Sequence, residues 1–255
     1  MIQGQNIIAG EVTQQSEDEQ MRHVRLRELA SELLLEFGFQ WNMHSLVTMK
    51  RQTLSRILYL DGLYKKTLNV PGVICEFGVH WGASISQLIN LRGIYEPYNH
   101  SRRIYGFDTF EGFSPLDSKD RSEFKEGDYA VPSDYLPKLE EILKLQESFS
   151  PINHIKKFEL IQGDASLTFP KWLKENPHAI ISMAIFDMDI YRPTKNVLQS
   201  IIPRLTKGSV LVFDELNCPH FPGETQAVME VLGLNNIALK RHPHQPYCSW
   251  TVYGE

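Results

Sequence analysis

The chain has 255 residues, 42% of them hydrophobic, enough to bury one sizeable core with a helical appendage. Lys and Arg total 26 against 31 Asp and Glu, a net charge of -5; that lacks the basic excess of a nucleic-acid binder, and Lys50, Arg51 and Arg56 read as a solvated helix face. Cys75, Cys218 and Cys248 form neither a disulfide framework nor a Cys-x-x-Cys pair, the first residues lack a secretory pattern, and no apolar run approaches the roughly 20 residues of a membrane span; the expectation is a reduced, cytoplasmic, soluble protein.

In chain order, residues 1–15 are polar and aperiodic and are expected to be a mobile tail. From Ser16 to Phe37 apolar residues fall on one helical face, and Ser16 followed by Glu19 resembles a capping box. A second helix is expected from about Ser45 to Lys65, broken by Asn69-Val-Pro-Gly72. Strands then alternate with helices: strands at 73–77, 103–108, 158–162, 180–186 and 209–214, helices at 83–95, 166–175, 193–205 and 224–232. Segments 236–240 and 247–253 read as a closing antiparallel pair. The alternation predicts an α/β fold, a doubly wound and mostly parallel sheet with right-handed crossovers. Residues 1–66 form the expected tail and helical segment, and 67–255 the core. Within it, about 109–157 is long and polar, read as an inserted lid or else as a surface insertion.

Four strand ends carry chemistry. CEFGVHWGAS (75–84) turns from a strand into a helix through Gly78 and Gly82; with Glu76, Phe77, His80 and Ser84 it suits a ligand carboxylate at a helix N-terminus, of the kind a methionine-type ligand carries. Its spacing is not the G-x-G-x-x-G of a pyrophosphate binder, and a junction without a ligand remains the alternative. In GFDTFEGF (106–113), Asp108 stands where an acid accepts ribose hydroxyls, beside Thr109 and Phe110; a turn-forming Asp is the other reading. In QGDAS (162–166), Gly163, Asp164 and Ala165 either flank an adenine ring or provide an N-cap.

FDMDIY (186–191) and FDEL (213–216) end two strands in acids. If the strands are neighbours, Asp187, Asp189, Asp214 and Glu215 converge, and such carboxylates repel unless protons or a cation intervene. Oxygen donors suit Mg2+ or Ca2+ rather than zinc, although each acid also suits a helix cap. His80 and His220 are possible bases, or a residue lining the turn and a loop residue.

These residues resemble a known family. The stretch TMKRQTLSRILYLDGLYKKTLNVPGVICEFGVHWGASI, GFDTFEGF, and FDMDIYRPTKNVLQSIIPRLTKGSVLVFDE are similar to the macrocin O-methyltransferase (TylF-type) family, over about Thr48 to Glu215. The resemblance implies a Rossmann-like class I methyltransferase with a seven-stranded sheet and a terminal hairpin. It implies methyl transfer from S-adenosylmethionine to a hydroxyl of a sugar-like or polyol small molecule, with Mg2+. Glu76, Gly78, Asp108 and Asp164 would face the cofactor. Asp187, Asp214 and Glu215 would hold the metal, and Asp189, or else His220, would be the base. Met188 stands where the family has glycine, His80-Trp81 where it has Trp-Arg, and Asp214-Glu215 where it has two aspartates. A non-catalytic cofactor-binding protein and a nicotinamide-dependent oxidoreductase are the rival readings. No nucleic acid or membrane partner is expected; a homodimer or higher homo-oligomer is.

Overall fold

Successive residues of a strand point to opposite faces of its sheet, and in this chain both faces of the central strands are apolar. The computed structural model describes the backbone of residues 6–8 and 11–13 and all of residues 16–255, apart from the side chain of Pro246. Its main sheet has seven strands: β3 (Val73–Phe77), β4 (Ile104–Asp108), β5 (Phe158–Gln162), β6 (Ile181–Phe186), β7 (Leu205–Phe213), β8 (Lys240–His242) and β9 (Gln245–Val252). The order is β5-β4-β3-β6-β7-β9-β8, with β3 to β7 parallel to one another and β9 antiparallel to both of its neighbours.

Ile74, Met183, Ile185, Val210 and Val212 face one side, against α3 (Arg51–Thr67), α4 (Ala83–Tyr95) and α5 (Tyr135–Ser148). Cys75, Phe77, Phe107, Phe186 and Phe213 face the other, against α6 (Ala165–Glu175), α7 (Tyr191–Ile201) and α8 (Pro222–Val231). Two helical layers on one sheet give the expected doubly wound architecture.

Several elements differ from the sequence reading. The segment 109–157 is not wholly a lid: its second half is α5, whose Leu139 and Leu143 lie in the core. Glu147 of α5 meets Arg92 Nη2 at 2.6 Å and Lys157 Nζ at 2.8 Å, all three side chains being buried. Replacing Glu147 with Leu leaves two buried cations without a counter-ion. We expect Glu147→Leu to cost about 3–5 kcal/mol in urea unfolding, because breaking a buried pair exposes the desolvation of what remains. A cost under about 1 kcal/mol would contradict that.

The helix expected over 45–65 is two helices, α2 (Trp41–Val47) and α3, separated where the Thr48 hydroxyl bonds back to the His44 carbonyl at 2.8 Å. Of the strand expected over 236–240 only Lys240 is strand; a 3-10 turn occupies Leu234–Asn236 after Gly233, at φ +71°, and pairing starts at Lys240. Within the segment expected as a tail, β1 (Asn6–Ile8) and β2 (Glu11–Thr13) pair as an antiparallel ribbon; residues 1–5, 9–10 and 14–15 lie outside the described residues.

The chain divides into two compact units, Met1–Arg56 and Ile57–Glu255. In the first, α1 (Glu17–Glu36) starts on the expected capping box, with Ser16 N–H donating to Glu19 Oε2 at 2.9 Å and Glu19 N–H to Ser16 Oγ at 3.3 Å. No residue of α1 or α2 is buried. No helix among the described residues is long and apolar enough to cross a membrane.

Candidate active site

The sheet register builds the site. Phe77 is level with Phe107 and Phe186, and Phe186 with Phe213. The four rings stack in a row beneath the sheet edge, with neighbouring centroids 5.1–5.4 Å apart. The next residue of each strand is therefore delivered to one carboxyl edge, in the order Asp108, Gly78, Asp187, Asp214. The backbone continues this alignment: Gly78 N–H donates to Phe107 O at 2.9 Å, Asp187 N–H to Phe77 O at 2.8 Å and Asp214 N–H to Phe186 O at 3.1 Å. In an open α/β sheet this edge is where ligands bind.

On the β3–β4 side, the chain leaves Phe77 through three left-handed residues, Gly78 (φ +92°), His80 (φ +50°) and Gly82 (φ +77°). Gly82 is the N-cap of α4 and brings no capping side chain to that helix start, the end of a helix that favours an anionic group. Glu76 is 1% exposed on the strand, and Ser84 is buried in the first turn of α4. Asp108 Oδ2 accepts His80 N–H at 2.8 Å and Oδ1 accepts Phe110 N–H at 2.5 Å. The turn-forming reading of Asp108 is thus realised, and its oxygens keep further lone pairs for a hydroxyl. Thr109 closes its own turn, its hydroxyl donating to Gly112 O at 2.6 Å. Gly163 N–H donates to Asp108 O at 2.8 Å, and Asp164 caps α6 through Ser166 N–H at 2.8 Å, with Ala165 buried behind it.

On the β6–β7 side the acids lie near enough for their charges to act on Asp189. Burial, then the charges of Asp187, Glu215 and Asp214, push the Asp189 carboxyl well above the usual range. Asp189 also sits at φ +64°, a left-handed conformation that disfavours a side chain. Two partners escaped the sequence reading. Glu224, buried in the first turn of α8, accepts Glu215 N–H at 3.2 Å; burial and the nearby Asp189 and Asp214 raise its carboxyl well above the ordinary value. Its sequence signal, an acid in the first turn of a helix, looks like a match to the helix dipole. Cys248 donates its thiol to Asp214 Oδ1 at 2.8 Å, because antiparallel pairing sets Ser249 opposite Phe213. His220 Nδ1 lies 3.5 Å from Glu123 Oε1.

The donor set is all oxygen, which fits a hard divalent ion in chemistry and in charge. Among the described residues, however, no group of three or more His, Cys, Asp or Glu is arranged to hold a metal ion.

The strand order, the edge and the closing antiparallel hairpin define a Rossmann-like class I methyltransferase fold. The chain belongs to the macrocin-O-methyltransferase (TylF) family, whose model matches residues 37–237. It is similar to a crystal structure of CalS11, a calicheamicin methyltransferase, at 39% identity over 95% of each chain with a TM-score of 0.91. An apo structure of CalS11, described as a TDP-rhamnose 3'-O-methyltransferase of calicheamicin biosynthesis, matches at 36% identity over 95% of this chain and 97% of that one, TM-score 0.84. Two curated relatives are more distant. An 8-demethyl-8-(2,3-dimethoxy-alpha-L-rhamnosyl)-tetracenomycin-C 4'-O-methyltransferase of Streptomyces olivaceus is 24% identical over 68% of this chain and 62% of its own. A mycinamicin III 3''-O-methyltransferase of Micromonospora griseorubida is 26% identical over 59% and 57%. The matched part thus spans about three fifths of each curated relative.

Proposed function

We propose that this chain transfers a methyl group from S-adenosylmethionine to a hydroxyl of a sugar-like small molecule, with a hard divalent cation, Mg2+ by preference, at the β6–β7 acids. The observation that carries the reading is the single edge on which a glycine turn, Asp108 and the β6–β7 acids stand side by side. The sugar class is supported by the names of the relatives: all four descriptions are of methyltransferases, and two of them name a rhamnose or rhamnosyl group.

S-adenosylmethionine supplies an electrophilic methyl carbon on a sulfonium. The start of α4 would take its carboxylate, Asp108 would accept its ribose hydroxyls, and Gly163 to Ala165 would border its adenine. Asp187, Asp214 and Glu215 would hold the cation, which lowers the proton affinity of an acceptor hydroxyl. Asp189 takes the hydroxyl proton as the O–C bond forms and the C–S bond breaks. A positive charge among the acids would offset the repulsion that adds to burial in lifting the Asp189 carboxyl, and so would favour the ionised form that a base needs.

Labelled methyl transfer to a panel of nucleotide sugars and glycosides tests this. Transfer in Mg2+ should fall about a hundredfold or more on chelation. Tight S-adenosylhomocysteine binding with no transfer to any acceptor would favour a non-catalytic binder instead.

The N-terminal unit exposes Leu35 (85%) and Phe39 (81%), with Trp41 and Val47 also open. We propose that a second copy of the chain covers them, since isolated helices are marginal without packing. Light scattering should then give a dimer or larger, and Leu35→Glu with Phe39→Glu a monomer; a monomeric parent overturns it.

A further inference from the structure

Three segments meet at one point beside the acids. Asp120, in the loop between β4 and α5, accepts Asp117 N–H on Oδ2 at 2.8 Å, which folds its own turn, and Tyr191 N–H on Oδ1, also at 2.8 Å. Tyr191 is the first residue of α7, and Ile190 before it offers no capping side chain. The orphan donor of that helix is satisfied from a segment 71 residues away. Two residues upstream of Tyr191 lies Asp189 at φ +64°. A residue in that conformation persists only where its surroundings fix it on both sides. Ile190 N–H closes the turn across Asp189 by donating to Met188 O at 2.7 Å; upstream the turn is held by the bond from Asp187 N–H to Phe77 O, and downstream the start of α7 is held by Asp120.

Gly223 completes the junction. A Cβ there would meet Asp120 Oδ1 at 2.1 Å and Tyr191 N at 2.6 Å, so only glycine lets the first turn of α8 lie against the pair. The next residue, Glu224, holds Glu215 N–H. The loop is tied down along its length. Lys119 Nζ donates to Tyr191 OH at 2.7 Å and pairs with Glu230, and Arg121 Nη1 donates to Pro219 O at 3.1 Å. Phe124 stacks on Phe221 at 4.9 Å.

We propose that Asp120 is a positioning residue: by capping α7 from the β4–α5 loop, it makes the arrangement of the Asp187–Asp189 turn depend on that loop being seated. The inference rests on the methyl-transfer reading of the site. It assigns residues 114–134 a task in the site, because the acids are set for an acceptor hydroxyl only while the loop is in place.

The test compares the full-length parent with Asp120→Ala and Asp120→Asn. Amide hydrogen exchange is read on the free protein, S-adenosylhomocysteine binding by calorimetry, and kcat and KM on the acceptor. Asp120→Ala should speed exchange over 189–193 about tenfold, as expected when one hydrogen bond is lost. It should lower kcat about tenfold to a hundredfold, since small misplacements of reacting groups cost that much, with S-adenosylhomocysteine affinity within about threefold. Asp120→Asn keeps one amide oxygen as acceptor and should fall between the two on both exchange and kcat. Native exchange over 189–193 in Asp120→Ala overturns the proposal. So does a loss in which kcat, KM and S-adenosylhomocysteine affinity decline together, or an Asn variant no better than Ala. The exchange arm needs no acceptor: a parent that methylates nothing counts against the methyl-transfer reading, while loosened exchange in Asp120→Ala still supports the coupling.

Discussion

Asp187→Asn is expected to lower methyl transfer about a thousandfold or more, while S-adenosylhomocysteine affinity stays within about threefold. Asparagine keeps the shape, and the bond that fixes the turn is made by the Asp187 backbone N–H, which the substitution retains. What is lost is one anionic oxygen donor among the three assigned to the cation, and metal-assisted activation of a hydroxyl is worth several kcal/mol. Stability should not suffer. The Asp187 charge is the largest of the three that oppose ionisation of Asp189, so removing it relieves a repulsion. The variant should therefore unfold at or slightly above the denaturant midpoint of the parent. Normal turnover would remove Asp187 from the chemistry, and a large fall in stability would mean that the acids are already neutralised in some other way.

Gly78→Ala is expected to cost about 4 kcal/mol or more, or to yield no soluble protein, with cofactor binding lost in whatever folds. An added Cβ would stand 1.7 Å from the Asp187 carbonyl oxygen and 2.4 Å from its carbon. Both are backbone atoms of the neighbouring strand end, so no rotamer change relieves the clash. The residue is also at φ +92°, where a side chain is strained in any case. Losses of this size arise from a short list of causes, and overpacking against backbone is one of them. Gly38→Ala is the control: nothing lies within 4 Å of its added Cβ and its φ is not left-handed, so denaturation should change by less than about 0.5 kcal/mol. Equal behaviour of the two variants would contradict the close approach of β3 and β6 at this edge.

Much of this edge was legible in the sequence because buried parallel strands are short apolar runs that end abruptly. VICEF and FELIQ predict β3 and β5 to the residue, and the acids after IISMAIF and SVLVF stand where those runs stop. The expectation that they stand side by side needed the two strands to be neighbours, which the order β3-β6-β7 supplies. Helix α5 was missed for a local reason. Leu139 and Leu143 have helical spacing, but the polar stretch before them, rich in charge and turn residues, carried the reading of the whole segment as a lid. The segment 236–240 misled because its Ile, Ala and Leu suit a strand, whereas Gly233 turns the chain first and leaves pairing to Lys240.

Glu224, Cys248 and Asp120 were not legible at all. Each reaches the acids, or the turn that carries them, through tertiary pairing: a first-turn helix acid folded onto Glu215, an antiparallel neighbour of Asp214, and a loop carboxylate capping a helix far along the chain. No local pattern records such meetings. The same limit applies to His220, which the sequence offers as a base and the structure pairs with Glu123 across the loop.

The claim that most of the account depends on is a cation shared by the β6 and β7 acids beside the donor pocket. The most direct measurement is anomalous diffraction from crystals grown with S-adenosylhomocysteine and Mn2+ in place of Mg2+. The account predicts one strong peak ligated by Asp187, Asp214 and Glu215, next to ligand density over Gly78 and Asp108. Ligand density there with no manganese peak among those three carboxylates, or with the peak held elsewhere, would contradict it.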